Sequence, residues 1–216
     1  MATALLMAAC GGGHEGPSPD QAQAYMHGLE KGSTLKPGTD VNALYADAMA
    51  LKAKGDCTAA VPRLRQVAAL GPGYEGAQTG LGECLIQGAQ GADLSADYLE
   101  GLTWLRRAGD AGWPEAQADL ADAHALGPTA IRNAEEAGFW LALYKMNTGK
   151  SRVGFVAMPK AQLAAVAAAI QPAAKAAGEK RAQAWERKVW QPPAAPATDD
   201  KGKHGRAMSR NPMSDE

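Results

Sequence analysis

The residues of this chain with chemical capacity are few and scattered. Three cysteines stand at 10, 57 and 84, with no CxxC pair and no Cys/His grouping at zinc spacing, so no structural metal site is expected. His124 follows Asp119 and Asp122 closely, but residues two apart on a helix do not face each other, and no second ligand pair is supplied elsewhere. His124 is therefore read as a half-buried packing residue. The stretch NTGKS (147–151) ends like a phosphate-binding loop, yet that motif needs glycine at 144, where Tyr144 stands, and a preceding parallel strand. It is read as a connecting loop. Arg63, Arg65, Arg106 and Arg107 are read as a solvated face with carboxylate partners such as Glu100 and Asp110. No Ser/His/Asp order, Cys/His pair or HExxH occurs at usable spacing. The expectation is a chain without catalytic residues, metal or cofactor.

What must position these residues is a helical chain. Its 216 residues are 46% hydrophobic, enough for a substantial core. The apolar content is carried by alanine and leucine, with only two Phe, which favours helix because these side chains lose little rotamer freedom there. The expected class is all-α. Net charge is −1, from 22 basic and 23 acidic residues, so no global field holds a polyanion and no nucleic acid partner is expected. No apolar run reaches the roughly 18 residues of an ordinary transmembrane helix.

Glycine, aspartate and proline punctuate the chain into helical segments at about 41–54, 57–70, 74–87, 95–111, 114–126 and 131–146. Residues 11–40 are rich in Gly, Ser, Pro and Asp and read as a flexible tether, and residues 191–216 read as a disordered tail. The stretch GYEGAQTGLGECLIQG (73–88) aligns with GWPEAQADLADAHALG (112–127) at an offset of 39, Gly73 falling on Gly112. Ala77 then meets Ala116, Gln78 meets Gln117, and Leu81 meets Leu120. Ala77, Leu81, Cys84 and Leu85 share one helix face. Between the two copies, Leu102 and Leu105 form a stripe beside Trp104, and Trp140 falls 36 residues after Trp104. Gly112 is placed to end its helix in a left-handed cap. Pro62, inside the second segment, is expected to kink that helix or shift its start.

The pattern A-Q-x-x-L-[GA] followed by D-Y-x-x-[AG]-L-x-W-x-[RK]-[RK]-A-x-[DE]-x-G resembles the Sel-1-like repeat, a relative of the tetratricopeptide repeat. Here it is carried by Ala77, Gln78, Leu81, Gly82, Asp97, Tyr98, Leu102, Trp104, Arg106, Arg107, Ala108, Asp110 and Gly112. The resemblance implies a short α-solenoid of about three stacked helical hairpins over 41–158, closed by C-terminal capping helices over 159–190. Pro172 and Gly178 are expected to break the cap, which carries Leu163, Val166 and Ile170 on one stripe and Trp185 with Val189 on another. The implied repeat core is Ala77, Leu81, Leu102, Trp104, Leu120 and Trp140. First helices line the inner surface of related repeat folds, which makes Gln78, Glu83, Gln117 and Asp122 the candidate partner-binding residues.

Residues 6–10, LMAAC, resemble a bacterial lipobox, in which a cysteine is acylated and becomes the mature N-terminus. The apolar run is short and lacks a preceding Lys or Arg, features that a start upstream of Met1 would supply. The resemblance implies lipidation at Cys10, an outer-membrane anchor facing the periplasm, and a tether that lets the folded part clear the headgroups. Membrane contact is then through this lipid alone. If Cys10 carries lipid, Cys57 and Cys84 remain in an oxidising compartment. Consecutive antiparallel helices would bring them to one end of the stack, and two readings stay open: a disulfide, or Cys84 as a small buried core residue. The functional expectation is a non-catalytic scaffold for another protein or peptide. The alternatives are a cytoplasmic adaptor, or an enzyme-associated repeat protein of hydrolase type whose catalytic group would be sought among His124, Glu115 and the aspartates.

Overall fold

Short polar side chains open four of the helices. Asp40 caps α1 (Val41–Ala53), accepting from Ala43 N at 2.9 Å, and Asp56 caps α2 (Cys57–Ala68), accepting from Ala59 N at 3.0 Å. Ser95 caps α4 (Ala96–Asp110) and Asn133 caps α6 (Ala134–Met146) in the same way. Proline begins α5 (Pro114–Leu126) and α8 (Pro172–Gln183), where its missing N–H costs nothing. The remaining helices are α3 (Glu75–Gly88) and α7 (Lys160–Ala169). This computed structural model describes residues 33–89 and 94–193; among them there are eight α-helices, two short 3₁₀ turns and no strand.

Glycine closes the helices with equal economy. Gly55 and Gly112 take left-handed backbone, φ +79° and +85°. Each ends its helix in a Schellman motif: Asp56 N donates to Leu51 O, and Trp113 N donates to Ala108 O at 2.9 Å. The chain reverses at each such point, so consecutive helices from α1 to α6 pack against each other in sequence order. Further contacts run between alternate helices, α1 with α3, α3 with α5, α5 with α7, and α6 with α8.

Two buried clusters fill the interior, and α4 belongs to both. Leu64, Val67, Leu81, Cys84 and Trp104 make one; Leu105, Leu120, Phe139, Trp140, Val166 and Ile170 make the other. The sulfurs of Cys57 and Cys84 are bonded, joining the first turn of α2 to the C-terminal part of α3 with Cα atoms 5.2 Å apart.

Two helix pairs cross at glycine. A Cβ on Gly82 of α3 would stand 2.8 Å from Gly101 O of α4, and one on Gly101 would stand 2.8 Å from Gly82 O. Gly178 was expected to break its helix, but it lies inside α8, where an added Cβ would overlap Phe139 N and Gly138 C of α6. Its absence of a side chain is a packing requirement. Gly→Ala in a helix normally gains about 0.5–1 kcal/mol. Gly178→Ala is instead expected to destabilise by roughly 1–3 kcal/mol, because α6 and α8 must separate to admit the methyl group. Equilibrium denaturation checks the sign.

Other expectations also need correction. Pro62 does not shift the start of α2, which begins at Cys57 and runs through it; the proline ring is exposed, so water can serve the carbonyl whose donor it removes. Trp185 and Val189 are not a helical stripe, since the helix ends at Gln183 and the chain then extends. That extended strap runs back over the turns. Trp185 lies beside Gly112, Lys188 N donates to Asp110 O at 2.8 Å, and Trp190 packs edge-on to Trp104 with ring centroids 5.6 Å apart. Pro192, placed in the expected tail, sits so close to Gly71 that a Cβ there would meet its Cδ at 2.5 Å. The rest of that tail, and the tether up to residue 32, lie outside the described residues.

Candidate functional site

The repeated glutamines are structural. Gln78 is 2% exposed and Gln117 1%. Gln78 Nε2 donates to Ala68 O (3.3 Å) and Gly71 O (3.4 Å), at the end of α2, and Gln117 Nε2 donates to Gly109 O (3.1 Å), at the end of α4. Each side chain thus adds a second donor to carbonyls at the end of the preceding helix, which also accept from the backbone N–H of Gly71, Tyr74 and Gly112. Asn147 Nδ2 adds bonds to Gln117 Oε1 (2.7 Å) and Gly112 O (2.9 Å). Neither glutamine is open to a partner, which corrects their assignment. NTGKS forms a 3₁₀ turn whose Asn147 is committed to this network and to Gly149 N.

The other two candidates, Glu83 and Asp122, do line a groove. It is about 590 Å³, bounded by Tyr45, Met49 and Lys52 of α1, Thr79, Gly80 and Glu83 of α3, Ala118, Asp119 and Asp122 of α5, and Ala161 and Gln162 of α7. A second hollow of about 580 Å³, lined by Ile86, Tyr98, Leu105 and Leu126, lies on the far side of the same three acids, Glu83, Asp119 and Asp122. Glycine lets side chains close onto α3 along the first groove: a Cβ on Gly76 would meet Tyr45 Oη at 2.5 Å and Trp113 Cζ2 at 3.2 Å. Both aromatic rings can therefore lie directly on α3.

One end of the groove is a pinned loop. Arg152 stacks its guanidinium 3.9 Å from the Trp113 ring centroid and donates from Nη2 to Glu115 Oε1 at 2.5 Å. Val156 N donates to the same oxygen. Beyond these contacts Val153 is 97% exposed and Val156 73%.

Asp119 is the residue under electrostatic stress. Lys52 pairs with Glu83, and Gln162 donates to Asp122 Oδ1, but Asp119 Oδ2 is shut from solvent with no hydrogen-bond partner. Burial, reinforced by the Glu83 charge, by a side-chain hydrogen bond with Glu83 that favours the protonated acid, and by Asp122, and only partly opposed by Lys52, pushes the Asp119 carboxyl well above its usual range. The folded state therefore holds this proton more tightly than the unfolded chain does. The stability this confers is complete below the unfolded value of about 3.9 and is lost as pH rises through the raised folded value. Asp119→Asn is expected to stabilise the protein at pH 7 by on the order of 1 kcal/mol, with the gain over wild type vanishing in acid. Denaturation midpoints across pH measure it.

Compared with models of protein families, with curated proteins and with solved structures, this chain matches none. The site must be read from its own atoms.

Among the described residues no group of three His, Cys, Asp or Glu is placed to hold a metal ion. His124 Nδ1 lies 3.0 Å from Ile131 O, so that nitrogen is committed to a backbone carbonyl. The arginines face mixed fates: Arg65 forks onto Glu100 at 2.9 and 2.7 Å, Arg63 pairs with Asp47, Arg106 with Glu136, and Arg107 stacks on Trp104 and Trp190. Of the expected repeat core, Ala77, Leu81, Trp104, Leu120 and Trp140 are buried, while Leu102 is half-buried and Leu105 takes the deeper place. Cys10 lies outside the described residues. No motif in the sequence marks Tyr45, Lys52, Trp113, Arg152 and Gln162 as groove residues, and Asp119 is suggested there only for metal or, with the other aspartates, for catalysis. The one signal for them was the pair of glycines, Gly76 and Gly80, on the α3 face that the repeat reading turned inward.

Proposed function

We propose that this chain is a non-catalytic scaffold, a short α-solenoid of Sel-1-like hairpins that takes an extended segment of another protein in the groove formed by α1, α3, α5 and α7. The observation that carries this is the groove's composition: aromatic and methionine side chains seated on the glycines of α3, and acidic side chains from α3 and α5. Ligand sites commonly combine apolar walls with a few placed polar groups in this way. Exposed Val153 and Val156 extend the apolar rim. The Cys57–Cys84 bond supports an oxidising compartment, and with the LMAAC segment it supports a lipid anchor at Cys10 and a periplasmic setting.

The test is selection of random linear peptides on immobilised full-length protein. Ala161→Trp, on the exposed rim of α7, should fill the groove without touching the core and abolish capture. Retention of the selected peptides by that variant would remove the groove from the reading. In a Gram-negative host, Cys10→Ser should move the protein from membrane to soluble fraction; a wild type already soluble with a free Cys10 thiol would overturn the anchor.

A further inference from the structure

The groove's charges do not balance. Its lining holds four carboxylates, Glu83, Glu115, Asp119 and Asp122, against two cations, Lys52 and Arg152. Both cations are engaged. Arg152 is fixed between Glu115 and the face of Trp113, and Lys52 is paired with Glu83. Asp122 receives only a neutral amide from Gln162, and Asp119, whose Oδ2 is shut from solvent, has the Glu83 carboxyl as its side-chain partner and no cationic donor of its own. A buried acceptor without a donor costs stability and is not retained by packing alone, since an apolar or amide side chain of similar shape would serve α5 better.

We infer that the wall formed by Glu83, Asp119 and Asp122 is a subsite for one basic side chain, a lysine or arginine, carried by the partner segment that the groove binds. This rests on the peptide-binding reading above and names what the groove selects. The three acids come from two neighbouring helices, α3 and α5, so a cation at this wall meets acidic groups from both. A positive head can supply the donors that Asp119 lacks, while its aliphatic stem runs along Met49. The pairing is desolvated, so it acts on residence time and discrimination more than on encounter. A neutral side chain at the same place brings the acid cluster no compensating charge and an acidic one adds to its negative charge, which gives the subsite selectivity by exclusion as well as by attraction.

The experiment continues the peptide selection on the full chain. Basic residues should dominate one position of the selected peptides. Changing that residue to glutamine should weaken binding to the wild type by about tenfold or more, as expected for a lost charge-assisted contact. Asp119→Asn, expected to be folded and more stable, should weaken the parent peptide to a similar degree, and the two changes together should cost little more than either alone. Asp122→Asn gives the same cycle at a second carboxylate. Peptides selected without a basic position, or two losses that simply multiply, would overturn the subsite while leaving groove binding intact. No peptide selected at all would overturn both, and binding of spermidine without any peptide would overturn the claim that the cation belongs to a protein segment.

Discussion

Replacing Trp104 by alanine is expected to destabilise the fold by about 3–5 kcal/mol, the range for large aromatic truncations in cores. The side chain is 2% exposed and joins more parts of the molecule than its sequence neighbours do. Its ring meets the α2–α3 cluster on one side and Trp190 of the C-terminal strap on the other. Its Nε1 donates to Glu100 Oε1 at 3.1 Å, and that carboxylate also receives the Arg65 fork. Burial pushes Glu100 up in pKa, while the Trp104 N–H and the Arg107 charge pull it down. Alanine at 104 therefore leaves a cavity, a strap without its anchor and a buried carboxylate short of one donor. Trp140 provides the comparison: it is fully buried, yet its Nε1 has no partner, so its removal costs packing without stranding an acid. Chemical denaturation of both variants tests this. A loss below about 1 kcal/mol for Trp104→Ala would contradict its place in the core.

Reducing the Cys57–Cys84 bond is expected to cost about 3–4 kcal/mol, the chain-entropy value for releasing a loop whose ends are 27 residues apart. The loop holds nearly all of α2, the turn at Gly71 and most of α3, so opening it frees the unfolded chain over a full hairpin. Native packing should survive, because a free thiol at Cys84 remains a small apolar group in its pocket. The expected result is a lower denaturation midpoint in reductant with unchanged helix content at low denaturant, reproduced without reductant by Cys57→Ser. An unchanged midpoint would mean that the purified protein carries two thiols, and the case for an oxidising compartment would fall with it.

Much of the helix layout could be read locally. Asp40, Asp56, Ser95 and Asn133 bond to amides two or three residues ahead, and Gly55 and Gly112 close turns with carbonyls a few residues behind, so both signals lie within one turn of chain. Burial of Leu81, Trp104 and Leu120 was legible for a similar reason, since helical periodicity places Leu81 and Leu120 on the apolar stripes of their own helices and Trp104 beside that of α4. The all-helical class follows from these short-range rules together with the alanine and leucine content.

What lay beyond reach was each feature set by residues distant in sequence. Gln78 looks like a polar inner-face residue until α2 ends against it and its carbonyls claim the amide. Gly178 looks like a helix breaker until α6 presses its backbone onto that position. The strap from 185 to 193 has the composition of a loose tail, and only the surfaces of Trp104 and Gly71 make it ordered. Asp119 is one acid among 23 in the sequence. Its isolation arises when α3 brings Glu83 beside it and water is excluded. Local propensity acts through bonds within a turn of helix, whereas desolvation and close approach exist only once separate helices share a surface, and it is there that the groove and its unpaired carboxylate were decided.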